Sequence, residues 1–324
     1  MVFWFIIKNT MLPILFLVAV GVYLDRRFQL DVKTLSKLML YLIIPSFIFT
    51  HVTTMKIYSS SYNIAAAIFL MMAICFCLAL VVSRWRGYDK GLCQVCKNAL
   101  MFNNTGNLGV ALTLLVFTNP PYVVNGATPY LEEALAAQIA TFVVQSISLN
   151  TAGLFITGRG KLGALDTLKV VLKMPIIYAF LAALIVRLTG FDAPSFFLYP
   201  VMELAAKSVL PLAMVSMGIQ LSRTKIEWLD KEVWIVSFLK LFVLPLFGLL
   251  IIYGANFFSP GFFTPVGAVV FLIYCAIPTA VNVSLFAIEF DNNPAYATQV
   301  VMNTTALSGI SLTIYIFLGH LLFM

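Results

Sequence analysis

Ten apolar stretches, each long enough to form a membrane-crossing helix, follow one another through the chain and leave no room for a soluble domain. They cover residues 3–24, 34–54, 62–83, 93–117, 131–157, 168–189, 196–221, 232–256, 264–288 and 295–321, and no connection between them exceeds 15 residues. An α-helix needs about 20 apolar residues to cross a hydrocarbon layer roughly 30 Å thick. Composition agrees: charged residues make up only 10% and hydrophobic ones 61%, with a mean hydropathy of +0.99. A water-soluble fold carries about a quarter charged residues, so the sequence predicts an all-α integral membrane protein. The first run, Val2 to Leu24, reads as a span, because it is long and no small-residue cleavage site follows it.

The formal net charge of +7 could point to nucleic acid, but its distribution points elsewhere. Taking the odd-numbered connections as cytoplasmic gathers Arg26, Arg27, Lys33, Lys37, Arg84, Arg86, Lys90, Lys97, Arg159, Lys161, Lys169, Lys173, Arg223, Lys225 and Lys231, fifteen of the 20 basic residues. The other side keeps Lys8, Lys56 and Arg187, while Lys207 and Lys240 fall inside predicted spans. This asymmetry is the positive-inside pattern. It predicts both termini outside a bacterial plasma membrane, with the lipid bilayer and not nucleic acid as the surrounding partner. The connection at Asp291, Asn292 and Asn293 has no basic residue to orient it.

The two halves echo one another. Leu12-Pro13-Ile14 in span 1 is matched by Met174-Pro175-Ile176 in span 6, and Pro45 in span 2 by Pro211 in span 7. Asn107 in span 4 and Asn282 in span 9 each precede a small apolar run, and Gln138 and Gln299 mark spans 5 and 10. Five spans per half is an odd number, so the second half must be inverted relative to the first. The expected division is a first repeat over residues 1–157 and a second over 168–321. Inverted repeats of this kind mark secondary transporters.

Two spans carry sequence that a lipid-facing helix could not tolerate. Span 4 contains Phe102-Asn103-Asn104-Thr105-Gly106-Asn107-Leu108-Gly109, and span 9 contains Ala276-Ile277-Pro278-Thr279-Ala280-Val281-Asn282. Backbone freed from a helix survives at that depth only if it is buried in protein or lines a cavity. The N–H groups that begin the second half of a broken helix favour an anion. Asn104, Thr105, Gly106, Asn107, Pro278, Thr279 and Asn282 are therefore the candidate substrate-binding residues. The same polar groups could instead only join helices.

The Asn104-to-Gly109 run, the later Pro278-x-x-x-Asn282 and the ten-span layout resemble the auxin efflux carrier family, over nearly the whole chain. That family includes plant PIN and PIN-like carriers and bacterial malonate-type permeases. The resemblance implies two inverted five-helix repeats with broken crossover helices in spans 4 and 9, related to the bile-acid sodium symporters. It further implies a scaffold of spans 1, 2, 6 and 7, a transport unit of spans 3–5 and 8–10, homodimerisation through the scaffold and elevator-type movement. Two features depart from it. Val110-Ala111 stands where many members have a proline after the Gly-Asn pair. Little more than Gly158-Arg159-Gly160-Lys161 joins spans 5 and 6, where the larger plant proteins carry a long hydrophilic loop. Auxin is therefore not carried over as the substrate; a small mono- or dicarboxylate is expected.

Other polar residues within spans have weaker claims. Gln138, Gln145, Asn303 and Thr304 offer oxygen ligands for a coupling ion, with Na⁺ and H⁺ both open. Glu203 and Lys207 are four apart on one helix face, as a functional pair or as an ion pair near the outer end. Lys240 and Glu289 are expected near the cytoplasmic ends of spans 8 and 9. Cys93-Gln94-Val95-Cys96 has no second pair beside it and reads as helix packing, and His51 and His320 stand alone, so no metal or cofactor is expected. No catalytic constellation and no nucleotide-binding loop is present, which argues against an enzyme and a primary pump. A channel or a membrane-embedded sensor is the alternative to a carrier. A channel needs a polar face along several helices, whereas the polar residues here cluster at mid-depth.

Overall fold

A computed structural model describes residues 2–54, 59–158, 172–223 and 230–324. Arg159, Gly160, Lys161, Lys169, Lys56 and Lys225 lie outside the described residues. Among those described, every regular element is helical. The helices are α1 (Ile7–Phe28), α2 (Thr34–Thr54), α3 (Tyr62–Arg86), α4 (Lys90–Met101), α5 (Thr105–Phe117), α6 (Leu131–Thr157), α7 (Pro175–Thr189), α8 (Tyr199–Lys207), α9 (Val209–Arg223), α10 (Lys231–Phe258), α11 (Pro265–Ala276), α12 (Val281–Glu289) and α13 (Pro294–Phe323). Six of them (α1, α2, α3, α6, α10 and α13) are long and apolar enough to cross a membrane, and α8 with α9 makes a seventh if the bent pair is one span. Predicted spans 4, 6 and 9 contain shorter apolar helices, α5, α7 and α11.

Prolines explain most irregularities. A proline lacks its N–H and clashes with the carbonyl four residues back. In predicted span 7, expected as one run, Pro211 meets the carbonyl of Lys207. There α8 ends, Ser208 intervenes, and α9 leaves at 41°. Elsewhere the chain widens instead of breaking. Wide π-helical turns at Ile7–Met11, Met39–Ile43 and Leu239–Val243 end two residues before Pro13, Pro45 and Pro245. The looser turn accommodates the ring while the helix continues.

The chain forms two compact units. The first comprises Met1–Tyr58, Gly106–Ile139 and Leu172–Thr224; the second comprises Ser59–Thr105, Ala140–Val171 and Lys225–Met324. Each unit draws on both halves of the sequence. In the first, α1 packs on α9, and α2 on α7 and α8. The α1–α9 crossing is backbone against backbone at Gly21 and Gly218. A Cβ on Gly218 would fall 2.0 Å from the Val18 carbonyl oxygen and 2.9 Å from Gly21 Cα. At the end of this pair, Arg223 donates to Asp25 through Nε and Nη2, and Ser222 also donates to Asp25. In the second unit α11 packs on α13, and α3 on α4, around a core that includes Val270, Phe271, Ile273 and Val300.

Candidate functional site

The second unit contains both interruptions. Asp89 caps the start of α4, its Oδ1 accepting from Leu92 N at 2.7 Å. The helix stops at Met101, where the Asn-Asn-Thr-Gly run begins, and Phe102 is extended (φ −112°, ψ 124°). Thr264 caps α11 through Gly267 N at 3.0 Å, with Pro265 in the first turn. It stops at Ala276 because Pro278 excludes helical geometry at the residue before it; Ile277 has φ −68° and ψ 139°. The two extended stretches then pair. Asn104 N donates to Pro278 O at 2.9 Å and Ala280 N to Phe102 O at 3.0 Å, forming an antiparallel bridge between Asn103 and Thr279. Backbone groups freed by each break are thus satisfied by the other.

Side chains lock this pairing. Asn103 Nδ2 donates to Tyr274 O at 2.5 Å, and Asn103 N to Gln145 Oε1 at 3.1 Å. Gln145 Nε2 donates to the Tyr274 hydroxyl at 2.8 Å. Thr279 Oγ1 donates to Ala99 O at 2.9 Å, and Thr279 N to Thr304 Oγ1 at 3.3 Å. Lys240 completes the set, its Nζ donating to Leu100 O at 2.6 Å and to Asn103 Oδ1 at 2.5 Å. Helix ends leave their last carbonyls without intrahelical partners; here Leu100 O accepts from Lys240, and Tyr274 O accepts from Asn103 in addition to Ile277 N.

The predicted residues divide. Asn104, Thr105, Pro278 and Thr279 lie at the paired breaks and are buried, whereas Asn282 is exposed on the first turn of α12. Gly106 and Asn107 are half-buried in the π-helical turn opening α5, and they belong to the first unit. Of the residues expected to support an ion, Gln145 and Thr304 are part of the network just described. Gln138 is in the first unit and accepts from Thr113 Oγ1 at 3.2 Å. Asn303 is fully buried, and neither atom of its amide has a hydrogen-bond partner among the described residues. Glu203 and Lys207 form an i,i+4 pair at 3.1 Å, with side chains 51% and 67% exposed.

One expectation is overturned. Lys240 is not at a solvated helix end: it is 0% exposed, nine residues into α10, and bonded to the network. The reason is that helix-end carbonyls are available to it there. Its sequence signal was legible, since an ionisable residue in the interior of an apolar run is by default a functional candidate. Asn103 and Tyr274 gave no separate signal, because their roles depend on which backbone groups the breaks leave open. Glu289 is exposed at the last residue of α12.

Polar contacts in the second unit also tie together the ends of its helices. Arg86 pairs with Glu232, and the Tyr88 hydroxyl donates to the same carboxylate at 2.5 Å. Burial, with the Glu232 carboxylate adding to it, raises the Tyr88 phenol well above its ordinary range. Asn292 Nδ2 donates to Thr157 O at 3.1 Å, and Asn63 Nδ2 to Phe262 O at 2.7 Å. Arg86 and Asn292 lie in odd-numbered connections, with Thr157 and Glu232 at the edges of such connections, whereas Phe262 lies in an even-numbered connection and Asn63 beside one.

A family model described as membrane transport protein matches the chain over residues 6–165 and 161–316. The chain is also similar to an uncharacterized transporter of Methanothermobacter thermautotrophicus, with 24% identity over 317 residues that span 95% of this chain and 96% of the relative.

Proposed function

Because the chain belongs to the membrane transport protein family, the auxin efflux carriers whose motifs it resembles, we propose that it is a secondary carrier for a small mono- or dicarboxylate. The substrate is held where spans 4 and 9 cross, by the opening N–H groups of α5 and α12 with Asn104, Thr105, Gly106, Asn107, Pro278, Thr279 and Asn282. One observation carries this reading: the two interruptions pair in the Asn103–Thr279 bridge. A helix break at membrane depth needs partners for its backbone, and a shared break leaves two helix starts with N–H groups suited to an anion. The ten-span layout in two inverted repeats, 1–157 and 168–321, belongs to the same reading. So do the homodimer, the elevator movement and the placement of both termini outside a bacterial plasma membrane. The second unit, drawn mainly from spans 3–5 and 8–10, supports a transport unit of that composition. The ties among its odd-numbered connections support their lying on one side.

The test is uptake and counterflow of radiolabelled malonate, acetate, succinate and lactate in proteoliposomes. At least one acid is expected to exchange, and Asn107→Ala and Asn282→Ala are each expected to cut the rate at least tenfold while eluting as folded protein. Normal transport by both variants would remove the proposed site. Flux without exchange would make the protein a channel.

A further inference from the structure

Lys240 has no exposed surface, yet among the described residues its hydrogen bonds go only to neutral oxygens, Leu100 O and Asn103 Oδ1. Among the described residues no carboxylate pairs with it. Burying an ammonium without compensation is strongly unfavourable, so something else must hold the charge. Two helices end beside it. Leu100 is one residue from the end of α4, and Asn103 passes its other amide atom to Tyr274 O, two residues from the end of α11. Each helix end carries about half a negative charge from its aligned peptide dipoles. One ammonium therefore balances two such ends.

The helix-end carbonyl of Leu100 and the amide oxygen of Asn103 are also ligands that a monovalent metal cation takes, since hard cations bind oxygen. We propose that Lys240 is a tethered cation: its ammonium fills, from within the chain, the oxygen-lined place at the joined carboxyl ends of α4 and α11 that would otherwise demand a bound Na⁺. The carrier then completes its cycle without Na⁺. This rests on the reading of the paired breaks as the transport site, and it names how that site is charged. It also accounts for Gln145 and Thr304, whose oxygens are already engaged by Asn103 and Thr279.

The test uses cations as probes and needs no substrate, so it fails or succeeds independently of the carboxylate assay. Thermal unfolding of the full chain in detergent is followed in NaCl, LiCl and choline chloride at equal ionic strength. The wild type is expected to unfold at one temperature in all three, and to bind no ²²Na⁺ above background. Lys240→Ala, which opens space at the carbonyls, is expected to unfold at lower temperature. It should recover with Na⁺ or ethylammonium, in proportion to the logarithm of concentration, but not with choline. Lys240→Met fills the space without charge and is expected to show no recovery. Saturable Na⁺ binding by the wild type would overturn the proposal, as would a folded Lys240→Ala indifferent to both Na⁺ and ethylammonium. If Lys240→Ala does not fold, the wild-type sodium measurements decide alone.

Discussion

The two units hold their apolar helices together with different emphasis. In the first, α1 and α9 meet through Gly21 and Gly218, with the nearest groups on both sides belonging to backbone. In lipid there is no hydrophobic force between helices, and close packing through small residues supplies the attraction. The second unit instead buries Asn98, Asn103, Gln145, Lys240, Thr279, Asn303 and Thr304 in its interior. Buried polar groups cost free energy unless each finds a partner. A chain that could have packed this unit with glycine and leucine has used carboxamides and an ammonium. The difference is one of means: close backbone contact joins α1 to α9 in the first unit, with the Asp25–Arg223 pair at its end, and the second carries a polar core built around the paired breaks.

The sharpest way to break this contrast is to enlarge Gly218. Gly218→Val places atoms inside the Val18 carbonyl and should force α1 from α9, at or beyond the upper end of the about 1–3 kcal/mol typical of overpacking. Loss of monodisperse protein on size-exclusion chromatography is the expected result. Gly254, with nothing within 4 Å of its Cβ position, is the control; Gly254→Ala should be neutral or slightly stabilising. A smaller effect, of opposite character, is expected at Asn303. Removing a buried amide that has no partner should leave Tm unchanged or raise it, because such an amide carries a desolvation penalty of about 1–3 kcal/mol. If the residue serves transport, Asn303→Leu lowers carboxylate exchange at least tenfold without unfolding the protein. A fall in Tm with transport intact would instead make Asn303 a structural group and weaken the contrast.

Much of this architecture was legible from residues. Pro278 announced the end of α11, and the Asn-Asn-Thr-Gly run announced the end of α4, because both act locally on the backbone. The limits of α6 at Leu131 and Thr157 coincide with the predicted span, since polar residues bound an unbroken apolar run. The bend at Ser208 was not foreseen in span 7, although Pro211 carries the cause. Hydropathy registers composition and is blind to a missing N–H. The bond from Lys240 to Asn103 was not legible either. It joins positions 137 apart in sequence, and only the folded breaks show which carbonyls lack partners. The glycine contact at 21 and 218 is hidden for the same reason: a glycine in an apolar helix looks alike whether it faces lipid or another backbone.

The smallest effect is expected at Glu203 and Lys207, which sequence alone left open as a functional pair. Their side chains meet at 3.1 Å but remain largely exposed. Exposed ion pairs contribute only about 0–1 kcal/mol, because solvation of the separate charges nearly equals their attraction. A double-mutant cycle with Glu203→Gln and Lys207→Gln should therefore return a coupling near zero in thermal unfolding, and either variant should exchange carboxylates within twofold of the wild-type rate. The comparison with Lys240 makes the result informative. Both lysines lie in apolar helices, yet one is held by buried helix-end carbonyls and the other by a carboxylate on its own exposed face. If charge matters to transport only where it is desolvated, Lys207→Gln leaves exchange intact. A Lys207→Gln variant that loses transport while Glu203→Gln retains it would show that the exposed ammonium attracts the anion, and would move part of the chemistry into the first unit.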